Sequence, residues 1–288
     1  MKKLLKELKE IVTKKEMRIL PGNLAYSFFL ALIPIISLIF YLSTSLNLPS
    51  NILQNFIDET FPIGVAELLQ PVLATELTLN SFLPLCLAII VAMNGCGTII
   101  VTSNTIFKFE NSSPIKRRIK SLFLLMIIVI IFAFLFIVPL LGKAIINLIG
   151  TFTDVVYKHR DIIDTLYFIL QVPVSLIITF LMIKTIYILA PDQSVSGKCI
   201  NRGAAFTSGT WLIVTLAYSY YINNIARYDA VYGNLANIVM LLFWFYILGY
   251  IFVVGLFLNK KTTDKVNELE NTMKLEEIRK KIQKEKKK

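Results

Sequence analysis

The chain has 288 residues, of which 56% are hydrophobic and only 17% charged, with a formal net charge of +11. Soluble domains run near ~45–50% apolar and ~25% charged, and here the excess lies in long uninterrupted runs, which excludes an ordinary soluble domain. The mean hydropathy of +0.67 agrees. Cys86, Cys96 and Cys199 have neither disulfide nor metal-ligand spacing and read as small buried hydrophobes.

The chain opens with MKKLLKELKEIV, which places Leu4, Leu5, Leu8, Ile11 and Val12 on one helical face and Lys2, Lys6 and Lys9 elsewhere. Two readings stand for this segment: an amphipathic helix on an anionic leaflet, or a solvated charged end. The charged first 20 residues and a long first apolar run argue for a retained anchor over a cleavable signal peptide.

A spanning helix needs ~20 mostly apolar residues. Six stretches qualify, over residues 24–43, 82–105, 121–142, 163–189, 204–222 and 232–258. Each run is continuous, unlike the alternating ~10-residue segments of a barrel strand, so the expected fold class is all-α, a polytopic membrane protein of about six helices. The predicted organisation is a cytoplasmic amphipathic segment (1–23), a six-helix domain (24–258) with a structured outer loop at 44–81, and a basic cytoplasmic tail (259–288).

Lysine and arginine set the expected orientation. Seven precede the first run, five follow the second, two (Lys198 and Arg202) follow the fourth, and eleven lie from Lys260 onward, which is 25 of the 30. With six spans all of these fall on one side, and the first outer loop carries only acids (Asp58, Glu59, Glu67 and Glu76). The positive-inside rule then gives N-in, C-in. Charge placed by topology leaves no contiguous basic face, so no nucleic-acid partner is expected.

The outer loop carries apolar residues at helical spacing, such as Ile52, Phe56 and Leu68, divided by Pro49, Pro62 and Pro71. A loop of that length is usually structured or functional. The tail after Asn259, with Val266, Leu269, Met273, Leu275, Ile278 and Ile282 among charges, predicts an amphipathic cytoplasmic helix.

No Asp or Glu lies in the middle of any span, and the single histidine, His159, falls in an outer loop. A carboxylate or histidine proton relay, a catalytic acid–base pair and a metal cluster all lack raw material. Catalytic, cofactor-binding and metal sites are therefore expected to be absent, and the chain is not expected to be an enzyme. The spans do hold neutral polar groups and helix breakers: Pro34, Asn94 within AMNGCGTII, Asn104 and Pro173, with Lys184 near a span end. Transporter sites sit at such breaks, so these five are the candidate cavity-lining residues. The competing reading of Asn94, as interhelical glue that only packs, is the one its surroundings of small residues favour. The small residues Gly203, Ala204, Ala205, Thr207, Ser208 and Gly209 mark a close helix contact or a homo-oligomer interface. Tyr218, Tyr220 and Tyr221 are expected near the outer interface.

The chain also resembles the YihY or virulence factor BrkB-like membrane proteins, once labelled ribonuclease BN. GNLAYSFFLALIPIISLIF is similar to the opening of that family, and Asn104 with Ile106 and Phe107 before a basic loop is similar to its next conserved segment. YILAPDQSVSGKCINRGAAFTSGTW resembles its proline-bearing loop and Gly-Ala helix start. YDAVYGNLANIVMLLFWFYILGYIFVVGLFLN resembles its closing pattern, on which fall Tyr228, Tyr232, Gly233, Leu235, Trp244, Tyr246, Gly255 and Asn259. Phe257 stands where many members carry an acid, and Asn94–Gly95 where many carry Trp–Ser. The resemblance implies six spans in a bacterial inner (cytoplasmic) membrane and a transporter or flippase-like role for a lipidic or amphipathic envelope substrate, with membrane lipids and their anionic headgroups as partners. The alternative is a non-transporting envelope scaffold.

Overall fold

The computed structural model describes residues 2–45, 82–131, 160–224 and 234–285. Among them the chain forms seven α-helices and no strand. These are α1 (Lys2–Val12), α2 (Leu20–Ser45), α3 (Phe82–Phe107), α4 (residues 114–131), α5 (Arg160–Leu189), α6 (Gly197–Asn224) and α7 (Asn234–Glu285), with a short 3₁₀ turn at Lys15–Arg18. Of the outer loop predicted at 44–81, residues 44 and 45 belong to α2 and residues 46–81 lie outside the described residues, as do the second half of the third run and Tyr228, Tyr232 and Gly233.

Helix α2 has 26 residues, α3 has 26 and α5 has 30. At ~1.5 Å per residue each exceeds ~30 Å of hydrocarbon. Among the described residues, Ile89–Phe107 of α3 and Ile238–Glu276 of α7 are long and apolar enough to cross a membrane, and Pro173–Leu189 of α5 is a shorter apolar stretch. Pro34 and Pro173 were expected to break their helices, and they do not: α2 and α5 run through them without interruption. A proline removes one donor and frees one carbonyl. In apolar surroundings the neighbouring amides have no partner other than the helix itself, so the helix persists.

Helix α2 packs along both α3 and α7, α6 packs along α7, and α5 along α6. Two glycines set the spacing around α2. A Cβ on Gly95 would meet Ala31 Cβ and Ser27 O at 3.2 Å, and one on Gly249 would meet Pro21 O at 2.8 Å. The core runs from Leu24 of α2 through Ile100 and Ile106 of α3 and Ile183 of α5 to Phe252 and Leu256 of α7.

Helix α1 docks on the bundle, which neither sequence reading anticipated. Ile11 is buried and Leu8 packs on the core. Glu7 pairs with Arg202 at the start of α6, and Glu10 accepts from Lys261 of α7 at 2.9 Å. The tail is helical as expected, but it continues α7 without a joint through all 52 residues.

At its far end α3 closes in a Schellman cap. Phe109 N donates to Asn104 O at 2.9 Å, Lys108 N to Thr105 O at 3.4 Å, and Lys108 sits at φ 60°. A lysine in this left-handed position, where glycine is usual, costs about 1 kcal/mol. Phe109 stacks on Phe107 across this cap, with ring centroids 5.4 Å apart and planes at 16°.

Candidate functional site: a cleft with two arginines

Between α2, α3 and the first turns of α4 lies a cleft of about 810 Å³. Helices α2 and α3 each line it with both apolar residues (Leu20 and Leu30; Val91 and Val101) and neutral polar ones (Asn23 and Ser27; Asn94 and Thr98). Arg117 and Arg118, one turn into α4, complete it. Ser27 Oγ donates to Thr98 Oγ1 at 2.8 Å, and Thr98 in turn donates to Asn94 O at 3.1 Å, which holds α2 and α3 in register.

Arg118 Nη1 donates to Asn94 Oδ1 at 2.6 Å. Asn94 is a neutral amide, so this bond orients the guanidinium without cancelling its charge. Among the described residues neither Arg117 nor Arg118 has a carboxylate within ion-pair distance, whereas Lys120, Arg202, Lys260 and Lys261 each have one.

Beside the cleft, at the same end of the bundle, a polar knot fixes α4. Asp192, in the α5–α6 connection, accepts at Oδ1 from Lys120 Nζ (2.9 Å) and at Oδ2 from Ser112 N (2.9 Å) and Asn104 Nδ2 (2.7 Å). Asn104 Oδ1 accepts from Asp192 N at 2.8 Å, and Lys120 also donates to Pro191 O at 2.6 Å. Burial pushes the Asp192 carboxyl up, but the Ser112 amide, Lys120 and Asn104 outweigh it and hold it at about 2. Such a group is an ionised anchor over the physiological range and not a proton donor. The knot ties α3, α4 and the α5–α6 connection together and so sets where Arg117 and Arg118 point.

Of the five candidate cavity-lining residues, only Asn94 lines this cleft. Asn104 is fully buried in the Asp192 knot. Pro34 is buried in α2, and Pro173 is exposed on α5, which packs on α6 away from the cleft. Lys184 is half-buried with its ammonium 5.9 Å from the Phe180 ring. Arg117, Arg118 and Asp192 were missed because their charges were read as topology and loop acids. An arginine pair one turn ahead of an apolar run, with no acid at helical spacing, was the available signal.

Of the family-pattern residues, Gly255, Asn259 and Trp244 of α7 pack against α6, whereas Tyr246 is exposed. Asn259 Oδ1 accepts from Gly203 N at 2.7 Å, and Tyr187 OH donates to Phe252 O at 2.8 Å. With its proton so used, Tyr187 accepts from Thr207 Oγ1 at 2.8 Å. A Cβ on Gly203 would collide with Gly255 O, and one on Gly255 with Thr207 Oγ1 and Tyr187 OH. Trp244 stacks on Tyr218 at 5.6 Å and 17°. Tyr218 is buried in this stack. Of the small residues of α6, Gly203, Ala204, Thr207 and Ser208 are buried within the chain, whereas Ala205 is exposed and a Cβ on Gly209 would meet nothing within 4 Å.

The comparisons with known proteins follow this geometry. A family described as Virulence factor BrkB matches residues 10–278. The chain is similar to the ribonuclease-like protein YfkH of Bacillus subtilis (strain 168), 27% identical over 258 residues, 87% of this chain and 92% of YfkH. It is similar to a UPF0761 membrane protein of Actinobacillus pleuropneumoniae, 23% identical over 241 residues, 81% of this chain and 84% of that one. A UPF0761 membrane protein of Chromobacterium violaceum matches 87 residues at 28%, which is 30% of this chain and 21% of that one. No solved structure matches. A match that takes in α2 through most of α7, with membrane proteins among the relatives, makes this chain a member of the BrkB virulence factor family and a membrane protein.

Proposed function

We propose that the chain threads a bacterial cytoplasmic membrane six times with both termini inside, and that it transports a lipidic or amphipathic envelope substrate through the cleft between α2, α3 and α4. The observation that carries this reading is the lining of the cleft, which brings apolar side chains, neutral polar side chains and two arginines around one volume. An amphipathic molecule needs all three kinds of contact. The clustering of 25 of 30 basic residues outside the apolar runs on one predicted side supports the orientation.

The test is movement of labelled lipids across vesicles that hold the purified full chain. Val101→Trp fills the cleft from α3 and is expected to lower the rate about tenfold while the protein stays monodisperse. Equal rates for the filled and native cleft, or no movement of any lipid class by folded protein, overturn the reading. A terminal tag reachable from outside intact cells overturns the orientation.

The proposal contains no catalytic step. RNA cleavage by purified protein, abolished by one acidic substitution, would overturn that. The scaffold reading has one observation in its favour: Leu269, Met273 and Leu275 on the projecting part of α7 are exposed. Because Lys261 and Val266 belong to the α1 contact and the core, truncation must begin at Asn267 to separate the readings. A scaffold loses its cellular phenotype on this truncation, and a transporter retains it.

A further inference from the structure

The cleft is a recognition site for the phosphate of an anionic membrane lipid, we infer, with Arg117 and Arg118 as its specificity-determining residues. This deepens the reading of the cleft as a substrate site and rests on it.

Three observations carry the inference. First, the two guanidinium groups stand on consecutive residues of a helix pinned by the Asp192–Lys120 pair, and both line the same cleft. Planar, always-charged forks of this kind match phosphate oxygens in a way a lone ammonium does not. Second, their charge is unanswered: the Arg118 partner is the neutral Asn94 amide, and no described carboxylate pairs with either arginine. Lys120, two residues further along the same helix, is by contrast paired with Asp192 at 2.9 Å, so of the charges on this stretch of α4 that face partners, the two that line the cleft are left open to an anion. Third, the cleft opens beside Tyr26 and Leu30, which are 62% and 39% exposed. In a membrane protein such exposed apolar residues meet lipid, so the ligand enters from the bilayer. Its chains lie against Leu20, Leu30 and Val101, and its headgroup reaches the arginines. A phosphate displaces Asn94 from Arg118 and gains a charge-assisted bond in its place.

The experiment measures binding of fluorescent phosphatidylglycerol to the purified full chain in neutral detergent. The competitors are diacylglycerol with the same chains and soluble glycerol phosphate. Phosphatidylglycerol is expected to bind about tenfold or more tightly than diacylglycerol, and glycerol phosphate to compete poorly. Arg117→Gln and Arg118→Gln should each weaken binding about tenfold. Lys116→Gln, the same loss of charge at an exposed site on the same helix outside the cleft, should change it less than about twofold. Asn94→Asp keeps both arginines and places a carboxylate beside Arg118, so it too should weaken binding. The inference is overturned if Asn94→Asp and Arg118→Gln bind like the native chain, if Lys116→Gln loses as much as they do, or if glycerol phosphate competes as well as the lipid. Lipid movement without headgroup preference would leave the transporter reading standing and remove this one. Selective binding with no movement would do the reverse.

Discussion

The bundle carries polar groups in two places, and they are built in opposite ways. At the α5–α6–α7 crossing, Tyr187, Thr207, Gly203 and Asn259 meet with no space to spare, and the neutral partners bond one another. At the α2–α3–α4 cleft, a charged guanidinium leans on an amide across an open volume of about 810 Å³. The first polarity fixes how helices cross, and the second lines an open volume. Depth in the membrane and polarity alone do not separate the two. Packing and charge compensation do.

The contrast is sharpest at its glycines. Gly203→Ala should destabilise the protein by about 3 kcal/mol, because the added carbon collides with the Gly255 carbonyl and also displaces the buried Asn259 amide from its bond to Gly203 N. Thermal unfolding of the purified chain reads this directly, and near-native stability would mean the crossing is looser than described.

Asp192→Asn comes next. It strands Lys120 and weakens three bonds, at a cost on the order of 2 kcal/mol, and it should also impair binding in the cleft by letting α4 move. The acid dependence follows the sign of the shift. A carboxyl held at about 2 against an ordinary 3.8 stabilises the fold fully above about pH 4 and loses that contribution as pH falls through about 2. An unfolding midpoint flat across that window would contradict the knot.

Gly97→Ala, on the cleft side, should cost less than about 1 kcal/mol, since its new carbon meets only the rotatable Ser121 hydroxyl at 3.3 Å. Lys108→Gly should stabilise by about 0.5–1 kcal/mol, relieving the left-handed lysine of the α3 cap. The smallest effect belongs to Glu10→Gln. Pairing with Lys261 lowers the Glu10 carboxyl pKa, yet the contact is fully solvated, and melting curves should not distinguish this variant from the native chain.

Helix positions were largely legible in the sequence. The run at 82–105 became Phe82–Phe107 and that at 163–189 became Arg160–Leu189, because sustained hydropathy is a local property. The family pattern was legible too, and its residues Trp244, Gly255 and Asn259 sit at packed contacts of α7. Partnerships were not legible. Asn104 meets Asp192 across 88 positions, and Arg118 meets Asn94 across 24. Neither separation leaves a mark on composition or periodicity. Proline was misread because its local cost says nothing about the medium that holds the rest of the helix together. The arginine pair was read only as a topology signal, because nothing local to the sequence marks its meeting with Asn94 across a cleft.

The unbroken α7 has a mechanical consequence. No glycine or proline interrupts it between Leu256 and Glu285, so the portion that packs on α2 and α6 and the portion that projects past Asn259 form one lever. Pushing or twisting its free end loads the contact between Gly249 and Pro21 on α2, and α2 is itself a wall of the cleft. Whatever grips that end has a handle on the opening some distance away.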